Sequence, residues 1–349
     1  NEQVENRNVA ERLPFVLSMY AFDEEFKGIK PYIANFLENM NEPAKKIMFA
    51  LSLADYGNVS IDSQFFAEMF GDDNADSFLL EDSPCIYELV RQEEVTGKNV
   101  FRIRYHLFGE ELLRQMSNGR DATEISFIAL LDNIINFIED SRNNKYVVNQ
   151  DTINLLRNLF ITRVADLNAQ KPAFSPLIEK LREESSKASE MYDTSNDAIV
   201  RIFNKLVEKY PEEAHFSAHL ARYYFYIDKN YEKGFANINS AIELSKVVNG
   251  RVDPLLYHMK AMGYSSYVIN KLKKDILSEF RNDSSYDIRN SVEVIEENAN
   301  NASRYFQMVR ESNIGVAAHV SEINLCVEIA NLAKTIVEES ADFNQYLTS

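Results

Sequence analysis

His215 and His219 stand four residues apart in EEAHFSAHLARYYFYIDKNY, a spacing that on a helix presents two imidazoles to one metal ion. The glutamate of an HExxH zinc motif is missing, because Phe216 holds its place, and no third ligand stands close by. The pair therefore reads as histidines packed between helices or edging a groove. Carboxylate runs such as Asp23-Glu24-Glu25 and Glu296-Glu297 have the chemistry of general acids and bases. That work needs a desolvated pocket to split their pKa values, which spacing cannot supply, so they read as solvated faces. There is no GxxxxGK[ST] phosphate loop, no GxGxxG fingerprint and no GxSxG elbow. We expect no catalytic, cofactor-binding or metal-ligating residue in this chain, and no enzyme activity of its own. Tyr223, Tyr224, Phe225 and Tyr226 are a different matter. Four consecutive aromatics surround a helix, so at least one is expected to face solvent or a partner, as aromatics do at interface hot spots.

The elements that carry these residues centre on 213–268. Phe216, Leu220, Tyr223, Tyr224 and Ile227 fall on one face at helical spacing. A polar break at Asp228-Lys229-Asn230 leads to a second helix with Tyr231, Phe235, Ile238, Ala241, Ile242 and Leu244. Asn249-Gly250 stops it, since glycine accepts the left-handed conformation that ends helices. Asp253-Pro254 starts the next helix, with Asp as cap and Pro in the first turn. His219 and His258 open similar runs, HLARYYF and HMKAMGY, as stacked helix–turn–helix repeats would. The Tyr231, Gly234, Ile238, Ala241 pattern resembles the second helix of a tetratricopeptide (TPR) repeat, although Arg222 stands where that family usually has Gly and Lys246 near its usual Pro.

Composition narrows the class. The chain has 349 residues, enough for two or three domains, and only 10 Gly and 8 Pro, which argues against a β-rich fold. Its net charge of −17 repels phosphate backbones and speaks first to solubility. Cys85 and Cys326 lie far apart in dissimilar contexts, which gives neither a disulfide framework nor a zinc site and fits a reducing cytoplasm. No run of about 18 apolar residues is present to span a membrane. The N-terminal stretch is polar, has no signal-peptide core and does not begin with Met, so the chain is expected to be a piece of something longer.

Residues 1–28 read as a linker or docking segment. Over 29–118 the expected order is helix (30–40), helix (43–56), a helix capped by Ser60 with Phe65, Phe66, Met69 and Phe70 on its apolar side, a strand from Ile86 to Arg91, a Thr96-Gly97-Lys98-Asn99 turn, a strand from Val100 to Tyr105 and a helix from 108 to 116. This is the order of a winged-helix domain. Winged helices often read DNA, and Arg91, Lys98, Arg102 and Arg104 are the candidate nucleic-acid contacts. The helices that would enter a groove carry Asp62, Glu68, Asp72, Asp73, Asp76, Glu81 and Asp82 and no cation, so a protein-contacting wing is the better reading. Residues 119–195 are expected to form a helical connector pair, 121–141 capped by Asp121 and 150–167, joined by Asn143-Asn144-Lys145 and followed by a partly helical run. Residues 196–349 are the TPR-like repeats, ending in a helix from Val316 to Glu339 that buries Val320, Ile323, Leu325, Val327, Ile329, Leu332 and Ile336. The fold class is thus mainly α: a small winged-helix domain with a β-hairpin, followed by a TPR-like α-solenoid.

Pro14, Phe15, Ala21, Phe22, Asp23, Glu24, Glu25 and Phe26 before the winged helix, the HLARYY and DPLLYHMKAMGY region, and the helix from Gly315 to Leu325 together form a pattern that covers nearly the whole chain. It resembles, through loose motifs, the part that follows the nucleotide-binding domain in STAND-class P-loop NTPases of bacterial antiphage defence and in the related animal interferon-induced antiviral factors. The resemblance implies a regulatory and sensor half: the winged helix holds the nucleotide domain inactive, and the repeats sense a trigger or contact neighbours on oligomerisation. The NTPase and effector portions would lie outside this chain, and the partner would be a protein trigger, viral proteins being candidates. The alternative reading is a nucleic-acid-binding regulator that uses the wing arginines with the repeats as effector; a third is an enzyme hidden in a groove of the helical array. The expected contact surface is the concave side of the repeats, around His219, Arg222, Tyr223, Tyr226, His258 and Lys260, with no cofactor.

Overall fold

The computed structural model describes residues 27–70, 86–118, 126–142, 150–163, 174–188, 195–282, 288–312 and 314–348. The protein is mainly helical with a small three-stranded antiparallel sheet, and it divides into two compact units, Asn1–Lys209 and Tyr210–Ser349. Among the described residues no helix is long and apolar enough to cross a membrane.

The first unit opens with α1 (Ile29–Asn39) and α2 (Glu42–Tyr56). Asn41 caps α2, its side-chain oxygen accepting from Ala44 N at 2.8 Å, and Pro43 sits in the first turn, where a missing N–H costs nothing. β1 (Ile61–Asp62) precedes α3 (Ser63–Phe70). The cap of α3 is Asp62, whose carboxylate accepts from Phe65 N at 3.0 Å, rather than Ser60, which lies before the strand. α4 (Ile86–Leu89) is a single helical turn, so the strand expected from Ile86 begins only at Val90. β2 (Val90–Val95) and β3 (Lys98–Ile103) are joined by Thr96-Gly97, at φ 50° and 77°. Two positive φ values define the tight hairpin turn that matches the twist of its strands, and the second falls on the glycine. The strand order is β1-β3-β2, with Ile61 opposite Phe101 and Arg91 opposite Arg102.

α5 (His106–Asn118) packs on α1 and α2. α6 (Phe127–Asp140) is capped by Ser126, whose hydroxyl accepts from Ala129 N at 3.4 Å; the expected cap Asp121 lies outside the described residues, and Ile128 points to solvent. α7 (Gln150–Phe160) ends where Ile161 N and Thr162 N both bond to Arg157 O at 2.8 Å, seven residues short of the expected Leu167. Residues 171–195 were expected to act as a connector, but α8 (Pro176–Ala188) buries Leu177, Ile178 and Leu181 in the core. α9 (Ser195–Lys209) packs on α6 and α8, so it belongs to the first unit and not to the repeats. The docking segment up to Phe26, the acids Asp72, Asp73, Asp76, Glu81 and Asp82, and Asn143-Asn144-Lys145 lie outside the described residues.

The second unit is a run of helices: α10 (Ala214–Tyr223) continuing into a π-helical turn (Tyr224–Asp228), α11 (Tyr231–Asn249), and α12 (Pro254–Tyr267) continuing into a second π-helical turn (Val268–Leu272). α13 (Lys273–Asn282), α14 (Ile288–Val309) and α15 (Gly315–Thr348) follow. The Asp253 cap and the Gly250 stop act as expected, and Asn230, read only as part of a polar break, is the cap of α11. Asn230 accepts from Lys233 N at 3.1 Å, Asp253 accepts from Leu255 N at 2.8 Å, and Gly250 ends α11 at φ 68°. π-Turns break the regular hydrogen-bond ladder. Here the Ser266 hydroxyl donates to Phe225 O at 3.0 Å, and Tyr231 Oη donates to Ser266 O at 3.1 Å, so the first π-turn and the start of α11 are both tied to the end of α12. Phe225 itself is buried among Ala218, Tyr231, Ile238 and Met259.

α15 corrects the expected burial list. Leu325 and Leu332 are buried and Ile329 and Ile336 lie at their side, whereas Val320, Ile323 and Val327 are exposed. At about 100° per residue, Ile323 and Leu325 point to nearly opposite sides, so one helix face cannot bury both. Glu322 fixes α15 to α14: it accepts from Ser303 Oγ at 2.5 Å and pairs with Arg310. Burial alone would raise its carboxyl pKa. The Ser303 hydroxyl and then Arg310 outweigh that, with His319 adding, so the pKa lies below the usual glutamate range. A depressed carboxylate pKa contributes stability that is present above the unfolded value and is lost as pH falls through the folded one. Acid unfolding of the second unit, followed by far-UV circular dichroism between pH 7 and 2, should therefore lose part of its slope in Glu322→Gln. An unchanged profile would remove this pair from the account.

Candidate interaction face

The sequence places its candidate contacts on α10 and α12, and these two helices touch in the structure. The expected contact residues then separate by burial. His219 is 4% exposed and Tyr223 is 1% exposed, so these two are core residues and cannot form a contact surface; the helical face that carries them is turned inward. Arg222 and Tyr226 are half-buried, and the Arg222 guanidinium lies 5.2 Å from the Tyr226 ring centre. His258 is half-buried beside Phe306, with ring centres 5.8 Å apart. Lys260 places its ammonium 4.4 Å from the Tyr305 ring centre, and no carboxylate pairs with it among the described residues.

Lys260 also marks a feature the sequence did not reveal. Tyr257, Lys260 and Tyr264 share one face of α12 at i, i+3 and i+7, and that face meets Tyr305 of α14. The Tyr264 and Tyr305 rings are stacked at 6.1 Å and 9°, and those of Tyr257 and Tyr305 at 5.9 Å and 27°. Phe235 of α11 extends the row, 4.4 Å from Tyr264. All four rings are partly exposed. Burial raises the Tyr264 hydroxyl pKa, with Tyr305 and Glu297 adding, so it is a neutral donor at physiological pH. The row thus offers flat apolar faces, phenol hydroxyls and a cation held over a ring. Such a set takes up aromatic or aliphatic side chains and carboxylates of another protein, and it contains no nucleophile–base pair. The sequence of α14 is of weak apolar content. The available signal was Tyr305-Phe306, the only adjacent aromatics in that helix.

Among the described residues there are also two open clefts, each of about 610 Å³. One, among α1, α2, α5 and α6, has an apolar floor of Leu37, Phe49, Met116 and Phe137. Its rim lysines are neutralised, Lys45 by Glu42 at 2.9 Å and Lys46 by Asp140 at 2.7 Å. The other lies at the α10–α11 turn beside Lys229, Tyr231, Phe235, Tyr267 and Lys271. Burial and then the nearby Lys274 lower the Lys229 pKa, while Lys271 pairs with Asp275 at 2.9 Å.

The wing cations are largely committed. Lys98 pairs with Asp151, Arg91 with Glu93 at 3.2 Å, and Arg104 donates to Glu88 O and Val90 O, each at 3.2 Å. Arg102 lies opposite Arg91 and is partly buried. The spacing 215/219 does not make a metal site either: His215 bonds to Asp253 at 3.2 Å while His219 is in the core, and no group of three or more potential ligands stands together among the described residues. The chain matches no protein-family model, no curated protein and no solved structure.

Proposed function

We propose that this chain is a non-catalytic regulatory and protein-interaction module, a winged-helix-like first unit and a TPR-like second unit, serving as the sensor part of a STAND-type NTPase switch in antiviral defence. The observation that carries the interaction reading is two cation–aromatic pairs: Arg222 beside Tyr226, and Lys260 over Tyr305, with which Tyr257 and Tyr264 stack. Rings and cations displayed on successive helices are what a solenoid uses to hold a partner segment. The strand order β1-β3-β2, with helices before and after the hairpin, supports the winged-helix reading. The setting in a defence switch rests on the residue resemblance, and cytoplasmic placement goes with it. The nucleic-acid alternative is weakened because Lys98, Arg91 and Arg104 already hold protein partners.

The test is pull-down and titration of the chain with candidate viral proteins and, separately, with a nucleotide-binding half. Arg222→Ala, Tyr226→Ala and Lys260→Ala should each weaken the bound partner by about tenfold, or about 1.4 kcal/mol, the size of a moderate interface contact. Unchanged affinity in all three overturns the assignment of this face. Salt-dependent duplex binding lost on Arg102→Ala would establish the alternative instead.

A further inference from the structure

α15 shows two opposite faces, and only one is used within its unit. Ala318, Leu325 and Leu332 are buried at a spacing of seven. On the other side Val316 (78% exposed), Val320 (53%), Ile323 (61%), Val327 (50%) and Val337 (66%) lie in solvent. These five alternate at steps of four and three through Ala330 and Lys334, giving an unbroken heptad seam with β-branched residues at both core positions. The buried leucines occupy the heptad position diametrically opposite, so the helix is held to its own unit by one side and offers a coiled-coil seam on the other. This is not the random scatter of single exposed apolar residues normal on a surface.

We propose that this seam is a self-association surface: α15 pairs antiparallel with α15 of a second copy of the chain. Charge selects the occupant. The chain carries a net −17, so two copies generally repel. Yet the positions flanking the seam from 317 to 333 are Ala317, His319, Asn324, Cys326, Asn331 and Ala333, with no carboxylate. The acids of that stretch point away: Glu322 is bound to Arg310, and Glu328 to Lys273 at 2.7 Å. A strip built for a cationic partner would keep its carboxylates; this one removes them where a second acidic chain would meet it. Lys334, the one charged seam residue, pairs on its own helix with Glu338 at 3.6 Å, the carboxylate that flanks the end of the seam beside Val337. Its place in the seam sets the direction. In a parallel pair the two Lys334 ammoniums would face each other at one level. In the antiparallel pair centred on residue 325, Ile323 packs on the second copy's Val327, Val320 on Ala330, and each Lys334 lays its stem beside Val316 at an end, about 27 Å from its twin at 1.5 Å per residue.

The seam from Val316 to Val337 is about 33 Å long. At the width of one helix, about 10–12 Å, it covers on the order of 350–400 Å² per copy, about half of the ~800 Å² of a standard interface, so a weak dimer with Kd of about 100 µM is expected. Sedimentation velocity of the chain from 5 to 200 µM should show a concentration-dependent dimer. Ile323→Glu and Val327→Glu, both at exposed positions, should leave the chain monomeric throughout with circular dichroism and thermal unfolding unchanged. In a Cys85→Ser background, a short bismaleimide should join Cys326, which is free and exposed, to its twin across the two-fold axis. A parallel pair would hold the same thiols on opposite flanks. A wild-type chain that is monomeric at 200 µM overturns the proposal and leaves the seam to a different partner. So does a dimer that survives both glutamate substitutions; cross-linking only through a long spacer overturns the antiparallel arrangement.

Discussion

Phe225→Ala should lower the unfolding free energy of the second unit by about 3–5 kcal/mol, the usual cost of removing a fully buried phenylalanine ring. Phe225 is 1% exposed and sits at the π-turn where α10, α11 and α12 converge. Its ring stacks 6.3 Å from Tyr231 and meets Phe235 edge-on at 5.0 Å. Two glycines make room for it. A Cβ at Gly263 would stand 2.5 Å from Phe225 Cζ, and one at Gly234 would fall on the other side of the same ring. Gly263→Ala should therefore also destabilise, by about 1–3 kcal/mol through overpacking, although alanine ordinarily favours a helix over glycine. The two effects must couple. In a Phe225→Leu background the ring edge is gone, so Gly263→Ala should cost little or become favourable, and the interaction term should exceed about 1 kcal/mol. Hydrogen exchange of α11 and α12 amides reads this without assuming that the whole chain unfolds in one step. Additive costs would mean that the glycine is there for another reason.

This joint also shows what sequence reading could reach. The Asp253 cap, the Thr96-Gly97 turn and the Gly250 stop act through neighbours a few residues away and were legible, as were the helices they bound, whereas Ser60, read as a cap, gave way to Asp62. Gly234 and Gly263 look alike in sequence, yet their purpose is one ring, Phe225, delivered by a π-turn that no local pattern announced. Two of the six expected contact residues, His219 and Tyr223, were misplaced for the same reason. His219, Arg222, Tyr223 and Tyr226 share a helical face, and only packing against the neighbouring helices decides that the first and third point inward. Tyr305 was missed because its partners Lys260 and Tyr264 lie more than 40 residues away in the chain. On α15 both apolar stripes were read as buried, because apolar spacing cannot say which of two stripes faces home.

The division at 118/119 drawn from element order leads to the second large effect. Phe65→Ala should destabilise α6 to α9 along with α1 to α5, by about 3–5 kcal/mol. Phe65 is 1% exposed and packs against Phe137 of α6 at 5.6 Å as well as against Phe66 at 5.7 Å, so its ring belongs to both halves of the first unit. Polar ties run the same way. Thr152 donates to the buried Glu68, Lys98 pairs with Asp151, and Lys46 reaches Asp140. A winged-helix domain folding alone would leave α6 to α9 unaffected by a change in α3. Here, exchange of slow amides in 127–140 and 195–209 should accelerate by two to three and a half powers of ten, about 1.4 kcal/mol per tenfold, in step with those of α2 and α5. Lys98→Ala, which removes only an exposed tie, should move the same amides by less than about tenfold. Acceleration confined to 29–118 would restore the boundary at 118/119 and would make the helices 127–209 an independent body with its own stability.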